Sequence, residues 1–214
     1  MIFPDAKKIR IALFATAIIL QLVTAVSLLT YTFRTKHYAQ KNGRIINLAC
    51  TAYDPFSPFK GRYVRLSFEE SNVSTSNLDS ESFAERKKRE SSYYLRMEEA
   101  QDSLWTVRGI RKELPKKDSE QAGGKSKGIY IKGKGFPYIY DDHASVDFPF
   151  SEYYMQENYA RYVDLLSADE FNELKPVLSL YVDKKGQCIQ KGLTVLNGTD
   201  RISIEEYCKI KNRS

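Results

Sequence analysis

The chain has 214 residues, 42% hydrophobic and 28% charged, with a net charge of +6. This balance excludes wholesale disorder and collagen-like or coiled-coil arrays. Two His and three Cys argue against a dense disulfide scaffold or a His/Cys metal cluster, while fifteen Tyr supply bulk for a packed core.

The first element in chain order is an uncharged run of 23 residues, Ile11 to Phe33. At ~1.5 Å per residue, a helix of this length crosses a hydrocarbon layer of ~30 Å with some tilt. A cleaved signal peptide has a shorter apolar region, of roughly 7–15 residues, and ends on small residues. Tyr31-Thr32-Phe33-Arg34 is a poor cleavage site, so an uncleaved anchor is expected. Lys7, Lys8 and Arg10 precede the run, and Arg34 and Lys36 follow it. The basic leading tail favours the N-terminus inside and the bulk of the chain outside. Gln21 lies one residue from the midpoint of the run. A polar group at that depth is a candidate contact with another membrane helix. Leu48-Ala49-Cys50 resembles a lipoprotein processing site only superficially. A charged run from Arg34 to Arg44 separates it from the apolar stretch, and Asn47 stands where an apolar residue is wanted.

Two segments are therefore predicted: 1–36, the tail and transmembrane anchor, and 37–214, an exported domain. The expected fold of the second is α+β, mainly antiparallel strands with one or two short helices. Ile45 to Tyr53 is an apolar-rich run closed by Asp54-Pro55-Phe56-Ser57-Pro58, whose prolines forbid a helix. Tyr63 to Phe68 alternates, with Val64, Leu66 and Phe68 on one face. That is the period of a half-buried strand. Residues 70–90 read as a polar loop, with helical character near Phe83 to Arg89. Ser92 to Met97 and Leu104 to Ile110 are strand candidates. Residues 113–127 read as a charged, mobile hairpin tip around Gly123-Gly124. Gly128 to Gly133 and Ala144 to Phe150 continue the strand pattern. Tyr159, Tyr162, Val163 and Leu166 recur at helical spacing. Ser167-Ala168-Asp169-Glu170 has the form of a capping box. Val177 to Val182 alternates again, Asp183-Lys184-Lys185-Gly186 is a turn into Gln187 to Leu196, and Asn197-Gly198 is a second turn. Ser203 is placed to cap a last helical turn.

Asp54-Pro55 followed by Lys60-Gly61-Arg62-Tyr63-Val64-Arg65-Leu66-Ser67-Phe68 resembles the GDYXXLXY family of bacterial membrane-anchored proteins. Gly61, Tyr63 and Leu66 match its motif. Arg62 replaces the acidic residue and Phe68 the final Tyr. Phe148-Pro149-Phe150, Tyr153-Tyr154 and Glu157 are similar to a later block of the family, and Val182 to Gly186 with Gly192-Leu193 to its closing hairpin. The resemblance implies location and domain type: a bacterial cytoplasmic membrane protein with its domain facing the periplasm or exterior. It brings no established activity. On the residues themselves, Gly61 permits a close backbone approach at the strand entrance. Leu66 with Val64 and Phe68 belongs to a core, and Tyr63 with Arg65 to the opposite face. Fold-determining structure is the preferred reading of the motif. A ligand or partner surface at Gly61, Arg62, Tyr63, Arg65, Leu66 and Phe68 is the other.

Catalytic patterns are sparse. Anchored signal peptidases need a nucleophilic Ser beside the membrane and a Lys base. Thr35, Thr51 and Ser57 are offered here without that family's Ser-Met-x-Pro arrangement. Asp141-Asp142-His143 has metal-ligand chemistry, but three adjacent polar residues in a turn read first as solvated. Gly123-Gly124-Lys125-Ser126 lacks the spacing of a phosphate loop. No motif demands a cofactor. The basic stretch Arg108 to Lys134 lacks the interleaved aromatics of a nucleic-acid surface, and an exported location removes that partner. It reads as solvated, with anionic lipid headgroups as the alternative contact. The expected function is an envelope-anchored interaction domain working with another membrane protein. An anchored hydrolase and a ligand-binding sensor are the alternatives. Of the three possible cysteine pairings, Cys188–Cys208 is favoured, since its short loop closes easily and contributes ~3 kcal/mol. Three free thiols is the competing outcome. Cys50 reads as a small buried core residue.

Overall fold

The structure is a computed structural model. It describes residues 6–52, 63–77, 93–115, 128–140, 142–163 and 165–212, the side chains of 6–12, 52, 77, 101, 136 and 139 excepted. The expected loop at 54–58, the helical character near Phe83 to Arg89, and Gly61, Arg62 and Asp141 lie outside them. The chain divides into two units, Met1–Asn42 and Gly43–Ser214.

The first unit is helix α1, Ala6–Asn42. Within it Leu13–Asn42, 30 residues, is long and apolar enough to cross a membrane, and none of its apolar stretch is buried in protein. Thr24, Thr30, Thr32 and Thr35 each donate a hydroxyl to the carbonyl four residues earlier, at 2.7–2.9 Å. The helix thereby satisfies these groups itself.

The second unit is antiparallel throughout its described strand pairs. Its largest sheet has six strands in the order β12-β11-β10-β1-β2-β9. They are β1 Arg44–Ala52, β2 Tyr63–Phe68, β9 Glu152–Tyr154, β10 Val177–Val182, β11 Cys188–Asn197 and β12 Asp200–Ser203. β1 serves two partners. Arg44 to Ala49 pair with β10, and Cys50 to Ala52 pair with β2. Residues directly opposite in an antiparallel pair point to the same face. Ile46 with Leu180, Leu48 with Leu178, and Cys50 with Phe68 therefore share the inner face, and all six are buried.

Two three-stranded sheets complete the domain. One is β5-β4-β6, from Trp105–Arg111, Tyr94–Glu99 and Ile129–Lys132. The other is β3-β8-β7, from Asn72–Ser74, His143–Asp147 and Lys134–Ile139. Leu95, Met97, Val107 and Ile131 from the first, and Val73, Ala144 and Val146 from the second, join the same buried cluster as β1 and β10. Three short helices follow β9 and the hairpins: α2 Glu157–Val163, α3 Ala168–Glu173 and α4 Ile204–Lys211. The last exceeds the single turn its sequence suggests. Ser203 Oγ accepts from Glu206 N at 3.1 Å and starts it. At α3 the capping box forms in full, Ser167 and Glu170 each accepting from the other's backbone N–H.

Two sequence expectations change. Residues 70–90 are not loop throughout, because Asn72–Ser74 pairs with β8 and buries Val73. Nor do β5 and β6 form a hairpin with each other, since each pairs with a different edge of β4. Residues 116–127, most of the expected tip, lie outside the described residues.

Tyr93, just before β4, fastens the two small sheets together. Its hydroxyl accepts from Asp147 N at 2.8 Å and donates to Asp147 O at 3.1 Å. Burial pushes that hydroxyl's pKa up to about 12. Gly133 lies against the ring, and a Cβ there would stand 2.2 Å from Tyr93 Cε2 and Cζ. Because the hydroxyl is held at both its donor and acceptor sides, the ring has little room to yield. We expect Gly133→Ala to lower stability by about 1–3 kcal/mol. Gly192→Ala, where an added Cβ meets nothing within 4 Å, should cause no loss. Urea unfolding of both full-length variants in the same detergent checks the pair.

Candidate functional site

The motif strand β2 alternates as its sequence predicts. Val64, Leu66 and Phe68 are buried, Tyr63 is half-buried, and Arg65 and Ser67 are exposed. Its partner is the later sequence block. Tyr63 stands opposite Tyr154, Val64 opposite Tyr153 and Arg65 opposite Glu152, and Leu66 N donates to Ser151 O at 2.7 Å. Phe68 meets Phe148 and Phe150 edge to face, with centroids 5.1 and 5.4 Å apart. Such pairs add to the area they bury. The two blocks, some ninety residues apart in sequence, thus form one structural unit.

On its outer side this unit presents two tyrosine rings 5.7 Å apart, Tyr63 and the 56% exposed Tyr154. Arg65 and Glu152 bring opposite charges face to face across the strands. Tyr154 Oη donates to Glu152 Oε2 at 2.7 Å. Amphipathic rings and paired charges suit contact with another molecule. Leu66 and Phe68 face the core and belong to packing. Gly61 and Arg62 lie outside the described residues.

Gln190, which the sequence patterns do not single out, and Tyr153 of the later block hold β9 in place. Gln190 donates both amide hydrogens, to Phe150 O at 3.0 Å and Glu152 O at 2.9 Å. β11 and β9 are four places apart in the strand order, so the sheet curls until its β9 end comes round to β11. A bulge aims Gln190. Ser179 pairs with Gly192 and Leu180 with Gln190, leaving Lys191 unmatched. The extra residue puts Gln190 and Leu193 on the same inner face despite their odd separation. Tyr153 closes the same seam, donating to Glu205 Oε1 on α4 at 2.9 Å. Burial, then the Glu205 carboxylate, push its pKa up to about 12. The signal that could have found Gln190 is a lone amide beside Lys191-Gly192 in an otherwise alternating strand.

Other candidate chemistry is distributed elsewhere. His143 Nδ1 lies 2.7 Å from Asp142 Oδ1, its ring stacked on Tyr140 at 4.4 Å. That hydrogen bond holds the Asp142 carboxyl below its ordinary pKa. Among the described residues no group of three His, Cys, Asp or Glu side chains is placed to hold a metal ion. Arg108, Arg111, Lys132 and Lys134 lie on β5, β6 and β7, with the Arg111 guanidinium 5.9 Å over the Tyr130 ring. Gln21 is exposed on α1.

Cys188 and Cys208 are not paired; all three cysteines are free. Cys188 starts β11 opposite Val182, its Sγ 3.7 Å from Gly186 O. Cys208 sits on the helix that leaves from the other end of that strand, where Ser203 pairs with Thr194. Five strand residues, Ile189 to Leu193, lie between Cys188 and that pair, an extended span of roughly 15–20 Å even with the bulge at Lys191. The short loop length suggested easy closure, but the hairpin spends that length on extended strand. Cys50 is buried as expected, with its Sγ 3.5 Å from Pro176 O.

Gln190→Leu should cost about 1–3 kcal/mol, because it leaves two carbonyls without their donor. Hydrogen exchange should speed at the amides of β9 and the residues before it while β4 and β5 stay protected. As for the thiols, burial pushes Cys50 up to about 12, Cys208 up to about 11, and Cys188 up as well. Raised pKa values leave a thiolate fraction of roughly a thousandth or less at pH 8, so iodoacetamide should modify the native chain slowly there and faster only as pH approaches those values. In denaturant without reductant, all three thiols should titrate; fewer would contradict this geometry.

The family model described as GDYXXLXY protein matches residues 25–193. No curated protein and no solved structure matches the chain. The matched span takes in the end of α1, the motif strand, its aromatic partner block and the hairpin through Leu193. By that match, and by the meeting of those same blocks in the fold, the chain belongs to the GDYXXLXY protein family.

Proposed function

We propose that this is an envelope protein of the bacterial cytoplasmic membrane, held by α1, with Gly43–Ser214 on the outer side as an interaction domain for another membrane protein. The observation that carries this reading is α1 itself. Its most apolar stretch is not buried in protein, so in water it would expose Leu20, Leu22, Leu28 and Phe33 at 60–72%. Covering that surface with lipid removes the cost. Lys7, Lys8 and Arg10 before the span favour retention of the short tail inside. The outer side of β2 and β9, with Tyr63, Arg65, Glu152 and Tyr154, is the surface this reading assigns to the partner. Its rings and charges supply contact area and orientation without calling for a reaction.

Topology tests the reading. A reporter active only outside the cytoplasm, fused after Ser214, should be active, and one active only in the cytoplasm should be silent. The opposite result would overturn the orientation. Tyr63→Ala combined with Tyr154→Ala should reduce recovery of co-purifying membrane proteins without lowering the amount of chain in the membrane fraction.

A further inference from the structure

If α1 spans the bilayer, Gln21 lies at its centre, one residue from the midpoint of the uncharged run. Water does not reach that depth. Thr24, Thr30 and Thr32 of the span give their hydroxyls to carbonyls of their own helix, an outlet open to any helical serine or threonine. A carboxamide differs, having two donor hydrogens and an acceptor oxygen. Helix carbonyls have lone pairs to spare, but every N–H in the helix interior is already spent on the backbone ladder. The Gln21 oxygen therefore has no donor available within α1. Gln21 makes no hydrogen bond among the described residues. Ala17 and Ala25 stand one turn before and after it on the same face. Neither obstructs a close approach by a second backbone.

We propose that α1 pairs with α1 of a second copy of this chain through reciprocal Gln21 carboxamide hydrogen bonds. Two arguments select a second copy as the occupant. A carboxamide is self-complementary, each giving an N–H to the other's oxygen, whereas a donor-only or acceptor-only group meets half the need. Two copies inserted the same way also carry Gln21 at the same depth without any tuning. The pairing rests on the membrane reading of α1 and goes beyond it by naming the partner in the bilayer.

The test uses the full chain, labelled at its C-terminus with donor and acceptor dyes and reconstituted in phosphatidylethanolamine–phosphatidylglycerol liposomes. Energy transfer is followed as lipid dilutes the protein. Gln21→Leu should weaken association by about three- to thirty-fold, the range measured for interhelical polar contacts. Gln21→Asn keeps the carboxamide and should retain more association than Gln21→Leu. Val23→Ala, on the opposite face, should match the wild type. Flotation of each sample separates the two readings. A chain that does not float with the liposomes overturns the membrane reading and the pairing with it. A chain that floats, yet is monomeric or associates equally well as Gln21→Leu, overturns the pairing alone. Dilution-resistant association seen only in native membranes would assign Gln21 to a different protein and overturn it as well.

Discussion

Gln190 decides what shape the large sheet can take. Six strands laid in order would leave β9 as an open edge far from β11, and an open edge is a row of unpaired donors and acceptors. Here the amide of Gln190 takes the carbonyls of Phe150 and Glu152, so the sheet must bend back on itself. Tyr153 is then carried to Glu205, which ties α4 to the same seam. The aromatic cluster of Phe68, Phe148 and Phe150 fills the space beneath. The bulge at Lys191 is what sets the Gln190 side chain on the face it shares with Leu180 and Leu193. A half-buried amide is tolerable there because both its hydrogens are used.

Seen this way, the family motif is chiefly a packing device. Leu66 and Phe68 are consumed by the core, while Tyr63 and Arg65 stand on the outer side opposite Tyr154 and Glu152. Phe68 stands where the family carries Tyr. In this chain its ring lies among Phe148, Phe150 and the neighbouring buried strand residues, where an added hydroxyl would need its own partner. The outer rings and charges are what remain for contact with other molecules.

The parts of this fold that were legible in the sequence are those where one local rule acts without competition. β2, β4, β6 and, from Leu178 on, β10 bury every second residue more deeply than its neighbours, so period two is plain. Ser167 with Glu170, Gly186 at φ +78 and Gly198 at φ +66 carry the chemistry of a cap and two turns. β7 hid because Gly135 and Pro137 interrupt it and its register with β8 shifts between Lys134 and Tyr138. β3 hid because three residues are too few to show a period. The cysteine pairing failed for a different reason. Sequence separation measures how easily a flexible loop closes, and Cys188 and Cys208 are separated by strand and helix, which do not behave as one. Gln190 was missed because its role is set by a bulge and by a strand forty residues away.

The double use of β1 also governs how the protein must be made. β1 follows α1 directly, yet Arg44 to Ala49 pair with Val182 to Val177, 128 to 138 positions later in the chain. At ~5–20 residues per second, the ribosome takes roughly 6–28 s to deliver the second strand after the first. Through that interval Ile46 and Leu48 emerge without the neighbour that buries them. Contacts this distant in sequence also make for slow folding. Biogenesis therefore passes through a stage with the anchor synthesised and an apolar strand waiting beside it. Such a nascent chain needs either a holding chaperone or rapid shelter among the strands that follow, and truncation anywhere before β10 leaves that strand permanently bare.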